Sequence, residues 1–228
     1  MKITWIGQAG LLMERDGVQI MIDPYLSDSV VKVNPRNYRR VPVKEELFDL
    51  TPDVMIFTHD HLDHYDPETA PRFLQKTDKT MTVLSPASVA PKAKADGALH
   101  NYVQMGRHTQ WTEYGFRFTA VKAEHSDAFA MGVIIEDLQE GKTYYVTGDT
   151  LYNTDIFADL PQDIDVLFLP INGVGNNMNM TDASRFAKEV GAKITVPLHF
   201  GMFDNLDPTG FVCERRVIPV LYEEIPLN

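Results

Sequence analysis

The sequence predicts a mixed α/β protein, and two observations lead to that class. Short runs of β-branched and aromatic residues recur along the whole chain and are separated by turn residues, as strands are. Helix signals fall between some of these runs, the clearest being the pair Asp66-Pro67, an N-cap followed by a first-turn proline. Among the 228 residues we find no repeat and no Gly/Ser-rich linker, so we expect one domain over residues 1–228.

The elements follow one another along almost the entire chain. The predicted strands are residues 3–6, 11–14, 18–22, 54–58, 81–84, 116–122, 131–136, 143–147, 166–169, 194–198 and 217–222. The predicted helices are residues 67–75 after Asp66 as N-cap, residues 88–95, and residues 182–190 after Thr181. The longest stretch without a clear pattern is 27–47, which we expect to be an irregular loop.

Charge and cysteine content exclude several classes of protein. Lys and Arg number 21 against 32 Asp and Glu, and the net charge of −11 repels a phosphate backbone, so no nucleic-acid partner is expected. The single cysteine, Cys213, leaves the chain without an internal disulfide, which suits the reducing cytoplasm. No apolar run reaches the ~18 residues that a membrane helix needs. The apolar N-terminal segment is interrupted by Gln8 and two glycines, so it does not resemble a signal peptide. We expect no membrane association.

The strongest chemical signal is segment 58–64, which reads Thr-His-Asp-His-Leu-Asp-His between an apolar strand and a predicted helix. Imidazoles and carboxylates together are the ligands that borderline metals prefer. In extended chain His59 and His61 point to the same side, and the following turn can bring Asp63 and His64 to a second point nearby. This one loop therefore has the residues to serve two metal ions.

Three further candidate ligands, His125, Asp149 and His199, each follow a predicted strand. The loops beyond the carboxyl ends of strands form the usual ligand crevice of α/β sheets. A single histidine at such a place is often structural, but burying so many imidazoles around carboxylates is costly without a cation. The sequence therefore predicts a metal centre, whereas His100 and His108, in polar turn-like sequence, are predicted to be surface or hydrogen-bonded residues.

No other catalytic system competes with this centre. Ser85 and Ser126 lack a Gly-x-Ser-x-Gly setting, and Ser126 beside His125 is expected to donate a hydrogen bond behind the ligands. Cys213 lies away from every ligand segment, and we expect it to be a small buried apolar residue. The glycine-containing segment 7–10 is predicted to be a hairpin turn, since strands flank it and no helix follows.

The spacing of the seven candidates, His-x-His-x-Asp-His followed by a distant His, an Asp and a final His, resembles the ligand motif of the metallo-β-lactamase superfamily. Shorter motifs resemble the branch that contains L-ascorbate-6-phosphate lactonase and related small metal-dependent hydrolases: Trp-Ile-Gly-Gln-Ala-Gly at 5–10, Ile-Asp-Pro at 22–24, Gly-Asp-Thr at 148–150 and Leu-Pro-Ile-Asn-Gly at 169–173. The resemblance covers residues 2–206, with Gln8 standing where that branch often has a histidine. It implies a four-layer αββα sandwich of two mixed β-sheets flanked by helices, with metals at one edge.

The resemblance also implies a role for each candidate ligand. The implied sets are His59, His61 and His125 for one metal ion and Asp63, His64 and His199 for another, with Asp149 bridging the two. Zinc, manganese and iron all suit these two sites for divalent ions. A metal-bound hydroxide would then be the nucleophile and the second ion would polarise the attacked oxygen, with Asp63 also orienting the nucleophile and Asp149 holding both ions.

The leading hypothesis is therefore a metal-dependent hydrolase that acts on a small-molecule carbonyl electrophile, namely a lactone, ester or amide, phosphorylated ones included. Two alternatives keep the same ligands: a metal-dependent phosphodiesterase and a mononuclear-iron sulfur dioxygenase. A flavodiiron electron-transfer centre is disfavoured because those relatives carry Glu where this sequence has His61. A non-catalytic relative is disfavoured because no ligand is lost. The oligomeric state stays open, and a homo-oligomer is compatible with the sequence.

Substrate recognition is expected in the irregular loop. Between Asp28 and Glu45 it contains five cations and no acid: Lys32, Arg36, Arg39, Arg40 and Lys44. Arginine suits bidentate recognition of phosphate or carboxylate, so Arg36, Arg39 or Arg40 is predicted to contact an anionic group of a small-molecule substrate. Asn172 is a further candidate substrate residue. The alternative, a solvated loop whose cations pair with nearby acids, is left open at this point.

Overall fold

The computed structural model describes residues 1–227 and shows two six-stranded sheets. The first sheet runs in the order β1 (Lys2–Gly7), β2 (Gly10–Arg15), β3 (Val18–Ile22), β4 (Val54–Ile56), β5 (Thr82–Ser85) and β6 (Asn101–Gln104). The second contains, side by side in this order, β7 (Gln110–Glu113), β8 (Phe116–Lys122), β9 (Met131–Asp137), β10 (Lys142–Val146), β11 (Val166–Pro170) and β12 (Ile194–Leu198). Strands β3 to β6 and β10 to β12 are parallel and the others antiparallel, so both sheets are mixed.

Apolar side chains from both sheets meet in one core. Ile22 and Ile56 of the first sheet belong to the same buried cluster as Phe118 and Val133 of the second. The run Val166–Pro170 is buried at every position because β11 lies between two strands and is covered on both faces, which explains its continuous hydrophobic sequence.

Helices cover the outer faces of the two sheets. Helices α1 (Ala70–Leu74) and α2 (Ala90–Asp96) bury Phe73 and Ala93 against the first sheet, in a second apolar cluster. Helix α3 (Met180–Val190) covers the second sheet, where Phe186 lies 6.4 Å from Tyr145 between ring centroids. The layers are therefore helix, sheet, sheet and helix, and the four-layer sandwich is confirmed.

One predicted strand is absent among the described residues, and two observed strands were not predicted. Residues 217–222 form no strand, because Pro219 interrupts the run, and this segment is joined to the sheets by single contacts such as Tyr222 N to Trp5 O at 2.8 Å. Strands β6 and β7 were not predicted from the sequence. Both are short, polar, partly exposed strands at the ends of their sheets, where hydrophobic alternation is weak.

The helices begin elsewhere than the sequence predicts. Asp66 is not the N-cap of α1, because its side chain accepts from Glu68 N and Thr69 Oγ1 and so holds the turn before the helix. Helix α2 begins at residue 90 rather than 88. Helix α3 begins at Met180, where the Asn179 side chain caps it by accepting from the amide of residue 182 at 2.9 Å.

The irregular loop 27–47 contains one complete 3-10 helix, Ser29–Lys32, and the start of another, Glu45–Asp49. The amide of Arg40 donates to Met202 O at 2.9 Å, so the loop packs on the segment that follows β12. None of the helices within residues 1–227 has the length and hydropathy needed to cross a bilayer.

Candidate metal centre

All seven predicted ligands lie around one centre at one edge of the two sheets. They sit in the loops that follow four strands: β4 for residues 59–64, β8 for His125, β10 for Asp149 and β12 for His199. The predicted ligands form two sets whose ligand atoms lie within 4.8 Å of one another: His59, His61, His125 and Asp149 in the first, and Asp63, His64 and His199 in the second. A third such group joins His59 and His64 to Asp23. The structure therefore brings together every residue of the motif.

Two backbone positions shape this edge. Gly148 has φ +61°, and a Cβ there would stand 2.9 Å from both Met131 O and Thr58 Cβ. Only glycine fits this close approach, which brings the end of β10, and with it Asp149, against the start of the histidine loop. His199 itself has a φ of +62°, a strained value for a non-glycine residue of the kind found at functional sites.

The first set is the more exposed one. His59 is buried, whereas His61 and His125 are half-buried with Nδ1 of the former 3.1 Å from Nε2 of the latter. His125 Nδ1 donates to Asn176 O at 3.1 Å, and the Ser126 hydroxyl lies 3.2 Å from His61 Nε2. Burial lowers the pKa of both His59 and His125, with neighbouring imidazoles adding to the effect. These rings are therefore held neutral, which is the form that binds a metal.

The second set is a compact group of opposite charges. His199 Nε2 lies 3.3 Å from Asp63 Oδ2 and 3.2 Å from Asp149 Oδ2, and His64 Nε2 lies 3.3 Å from Asp149 Oδ1. Burial opposes the charge on every member, but the ion pairs outweigh it. They raise the pKa of His199 to about 10 through Asp149 and Asp63, and they lower the pKa of both carboxyl groups. Asp149 is thus an ionised carboxylate that belongs to the first set and contacts two histidines of the second.

Sequence analysis missed three residues that hold these ligands. Asp23 accepts from His64 Nδ1 at 2.7 Å, Gln8 Nε2 donates to Asp63 Oδ2 at 2.7 Å, and Asn177 Nδ2 donates to Asp149 Oδ2 at 2.7 Å. Such partners fix the orientation of a ligand and tune its basicity. Asp23 and Gln8 lie within motifs that were noted for the resemblance alone, whereas nothing in the sequence around Asn177 indicates its contact.

The donor set fits a divalent cation. Among the described residues, three buried polar atoms of the centre make no hydrogen bond: His59 Nε2, His64 Nε2 and Asp149 Oδ1. The last two contact each other only as an ion pair, at 3.3 Å. Unpartnered buried polar atoms are rare and call for an explanation, such as an ion. Imidazole nitrogens and carboxylate oxygens at this spacing are ligands for zinc, manganese or iron.

Comparison with known proteins agrees with this geometry. Residues 19–200 match the family described as the beta-lactamase superfamily domain. The chain therefore belongs to the beta-lactamase superfamily. It belongs within it to the UPF0173 metal-dependent hydrolase family, since a member from an Exiguobacterium species is 32% identical over 89% of this chain and 87% of its own. A UPF0173 protein of Pyrococcus furiosus is 29% identical over 99% of this chain and 96% of its own.

Solved structures share the fold. A metallo hydrolase from Ignicoccus hospitalis aligns with a TM-score of 0.72 at 21% identity, covering 98% of this chain and 96% of its own. A metallo-beta-lactamase fold protein from Bacillus subtilis aligns with a TM-score of 0.69 at 20% identity, covering 98% of both chains. These two structures show the same fold, and the match of residues 19–200 to the superfamily domain confirms the predicted superfamily resemblance.

The predicted substrate residues differ in their surroundings. The Arg39 guanidinium is fully engaged, because it donates to Val41 O, Tyr25 O and the Tyr222 hydroxyl at 2.7–2.9 Å. Arg36 and Arg40 are exposed, and Arg40 donates to the Tyr38 hydroxyl at 2.8 Å.

Asn172 lies in the loop after β11, and its Oδ1 is buried with no hydrogen-bond partner among the described residues. Cys213 is half-buried at the core, not fully buried as predicted. His100 Nε2 donates to Leu74 O and His108 Nε2 to Asp159 Oδ1, so both are hydrogen-bonded as predicted.

Proposed function

We propose that this protein is a hydrolase that uses two divalent cations to cleave a small-molecule lactone, ester or amide. The observation that supports this proposal is the convergence of five imidazoles and two ionised carboxylates around buried atoms that make no hydrogen bond. Two cations in the two ligand sets would supply a water of lowered pKa and a Lewis acid for the carbonyl oxygen. The alternatives that keep these ligands, phosphodiester cleavage and sulfur oxidation, become outcomes of the test below.

The side chains of this chain have separate tasks in the proposal. Asp149 joins the two sets of ligands, since it belongs to the first set and its oxygens lie 3.3 Å from His64 Nε2 and 3.2 Å from His199 Nε2 of the second. Asp63 has one oxygen engaged by Gln8, which leaves the other to bind a cation or to orient the attacking water. Asp63 is held ionised, so its carboxylate can accept a hydrogen bond from that water and orient it.

We propose that Arg36 or Arg40 contacts an anionic group of the substrate. Both guanidinium groups reach solvent from the loop that packs on Met202, three residues after His199. Arg39 has a different task, because its donors go to protein acceptors on either side of the loop. Arg36→Ala and Arg40→Ala therefore test the proposed contact with the anionic group directly. Arg39→Lys should affect that contact only indirectly, by changing the shape of the loop.

The decisive experiment begins with metal analysis of protein purified without added metal. The protein is then loaded with zinc, manganese or iron and assayed on lactones, esters, phosphodiesters and a persulfide. We expect two ions per chain and turnover confined to the carbonyl compounds. Turnover of phosphodiesters alone, consumption of oxygen with the persulfide, or full ester hydrolysis by metal-free protein would each contradict the proposal.

A further inference from the structure

An apolar cavity lies beside the candidate centre, at the same edge of the two sheets. Its volume is about 470 Å³, within the range of small-molecule sites. It is lined by Ala87 and by residues 104–107, 121–123 and 128–131. These residues lie at or after the carboxyl ends of β5, β6 and β8 and at the start of β9, so the cavity opens at the edge where the strands that carry ligands also end.

Hydrogen bonds join the wall of the cavity to the metal-ligand loop. The amide of Met131 donates to Thr58 O at 3.0 Å, and Thr58 precedes His59. Asp127, next to Ala128, accepts from the Asp60 amide at 3.0 Å and from a serine hydroxyl next to Ala87. The loop that carries His125 connects Ala123 to Ala128, and both of these alanines line the cavity. A substrate at the ligands of the first set would therefore lie next to this cavity.

The cavity offers a ligand no free charge. Arg107 donates twice to Asp159, at 2.8 and 2.7 Å, and Lys122 Nζ pairs with Asp155 and Glu124, at 3.3 Å each. The other lining side chains are apolar apart from one glutamine amide. Phe129 stands at this wall with 60% of its surface exposed, so its ring adds apolar surface to the lining.

We infer that this cavity binds the alkyl part of the substrate's acyl group. The inference rests on the proposed function, because it assigns the substrate class of the same centre. The loop with Arg36 and Arg40 lies toward β1 and β12, whereas the cavity lies toward β6 and β8, so the two flank the ligands on opposite sides. The substrate is then a carbonyl compound with a medium-length apolar chain.

The test compares p-nitrophenyl acetate with p-nitrophenyl octanoate on the metal-loaded, full-length protein. Ala87→Leu and Ala128→Leu each fill the cavity from a different loop, and their melting temperatures and bound metal report on folding. Leu99→Ser is the matched control, since Leu99 is 95% exposed and lies at the other end of β6. We expect kcat/KM for octanoate over acetate to exceed tenfold, and this ratio to fall by about tenfold in both filled variants.

A second measurement does not depend on hydrolysis. Saturation-transfer NMR with 1-octanol should show contact with the wild-type protein and with Leu99→Ser, and the contact should be lost in both filled variants. Octanol contact without hydrolysis of either ester would contradict the proposed function and support the cavity assignment. Equal kcat/KM for both esters, or octanol contact that persists in the filled variants, would overturn the assignment even if the protein is a hydrolase.

Discussion

His61 and His125, at one side of the candidate centre, are half-exposed, whereas Asp63, His64 and His199, at the other, have side-chain exposures of 16%, 0% and 8%. We call these the open side and the enclosed side. On the open side the two imidazoles contact each other, one serine hydroxyl and one backbone carbonyl. On the enclosed side Gln8 and Asp23 engage the ligands through side-chain hydrogen bonds, and the His199 amide is bonded to Gln8 O.

The two sides therefore differ in their roles: the open side gives solvent access to the ligands, and the enclosed side fixes the orientation of its ligands. Solvent reaches the ligands from the open side, which is also the side of the apolar cavity, and the proposed substrate would enter there. The enclosed side is fixed by neighbours that are themselves buried, so its geometry is set before any ion binds. Asp149 belongs to both sides, because one oxygen faces His64 and it lies within the ligand set of His61 and His125.

The largest effect should follow Asp149→Ala, because it removes the one ligand shared by the two sides. We expect kcat/KM on the best ester to fall by at least ~100-fold and bound metal to fall from both ligand sets. Metal analysis beside the kinetics checks this, with Asp163→Ala, an exposed carboxylate remote from the centre, as control. Unchanged metal content in Asp149→Ala would show that the two sides bind ions independently.

Adding metal should stabilise the fold, because the centre buries ligand atoms that make no hydrogen bond to the protein, such as His59 Nε2 and His64 Nε2. A ligand at 100 times its Kd stabilises a protein by about 2.7 kcal/mol, which for this chain length corresponds to about 5–10 °C in melting temperature. Thermal unfolding of chelator-treated protein, with and without the activating metal, measures the shift. A melting temperature that does not respond to metal would contradict the assignment of the centre.

The sequence predicts the ligands better than it predicts what holds them. The seven ligands could be found because metal ligation restricts residue type and spacing, and because each ligand follows a strand. Gln8, Asp23 and Asn177 act through contacts between residues far apart in the chain, and no local spacing indicates such contacts.

The same limit applies to the fold. Strands whose apolar residues face the core were predicted close to their observed bounds, since burial imposes the pattern. The edge strands β6 and β7 bury little, so their sequence carries no such pattern. The run 217–222 is apolar because it packs on the core, although Pro219 keeps it out of a sheet. The hydrogen bonds of Arg39 to Tyr25 O and the Tyr222 hydroxyl could not be predicted either, because they too join residues far apart in the chain.

Gln8 provides a test of the enclosed side alone. In Gln8→Ala, Asp63 Oδ2 and the His199 ring lose the amide that lies 2.7 and 3.2 Å from them. Loss of such a partner typically lowers metal affinity about 10–100-fold, and we expect this for one of two ions. Isothermal titration with the metal should show one weakened and one unchanged event, and Gln162→Ala, an exposed glutamine, should leave both unchanged. Equal weakening of both events would mean that the two sides are not separable.

The smallest effect concerns the scaffold behind the open side and depends on pH. Asp159 accepts from the Lys122 amide at 2.9 Å, at the end of the strand that leads to His125, and from Arg107 and His108. Burial opposes ionisation, but these hydrogen bonds outweigh it and lower the pKa of Asp159 from 3.8 to about 2.

A folded pKa below the unfolded one means that the unfolded chain binds more protons between these values, so this stability is present above pH 4 and is lost as the pH falls toward 2. Asp159→Asn should therefore lower the free energy of unfolding by about 1–2 kcal/mol at pH 7, since charge-assisted hydrogen bonds are lost. The difference from wild type should shrink between pH 4 and pH 2, as measured by urea unfolding at each pH. Asp155→Asn is the control, because that carboxylate lies on the same turn but is 69% exposed, and its replacement should stay within about 0.5 kcal/mol. A difference for Asp159→Asn that stays constant down to pH 2 would show that its charge does not support the open side.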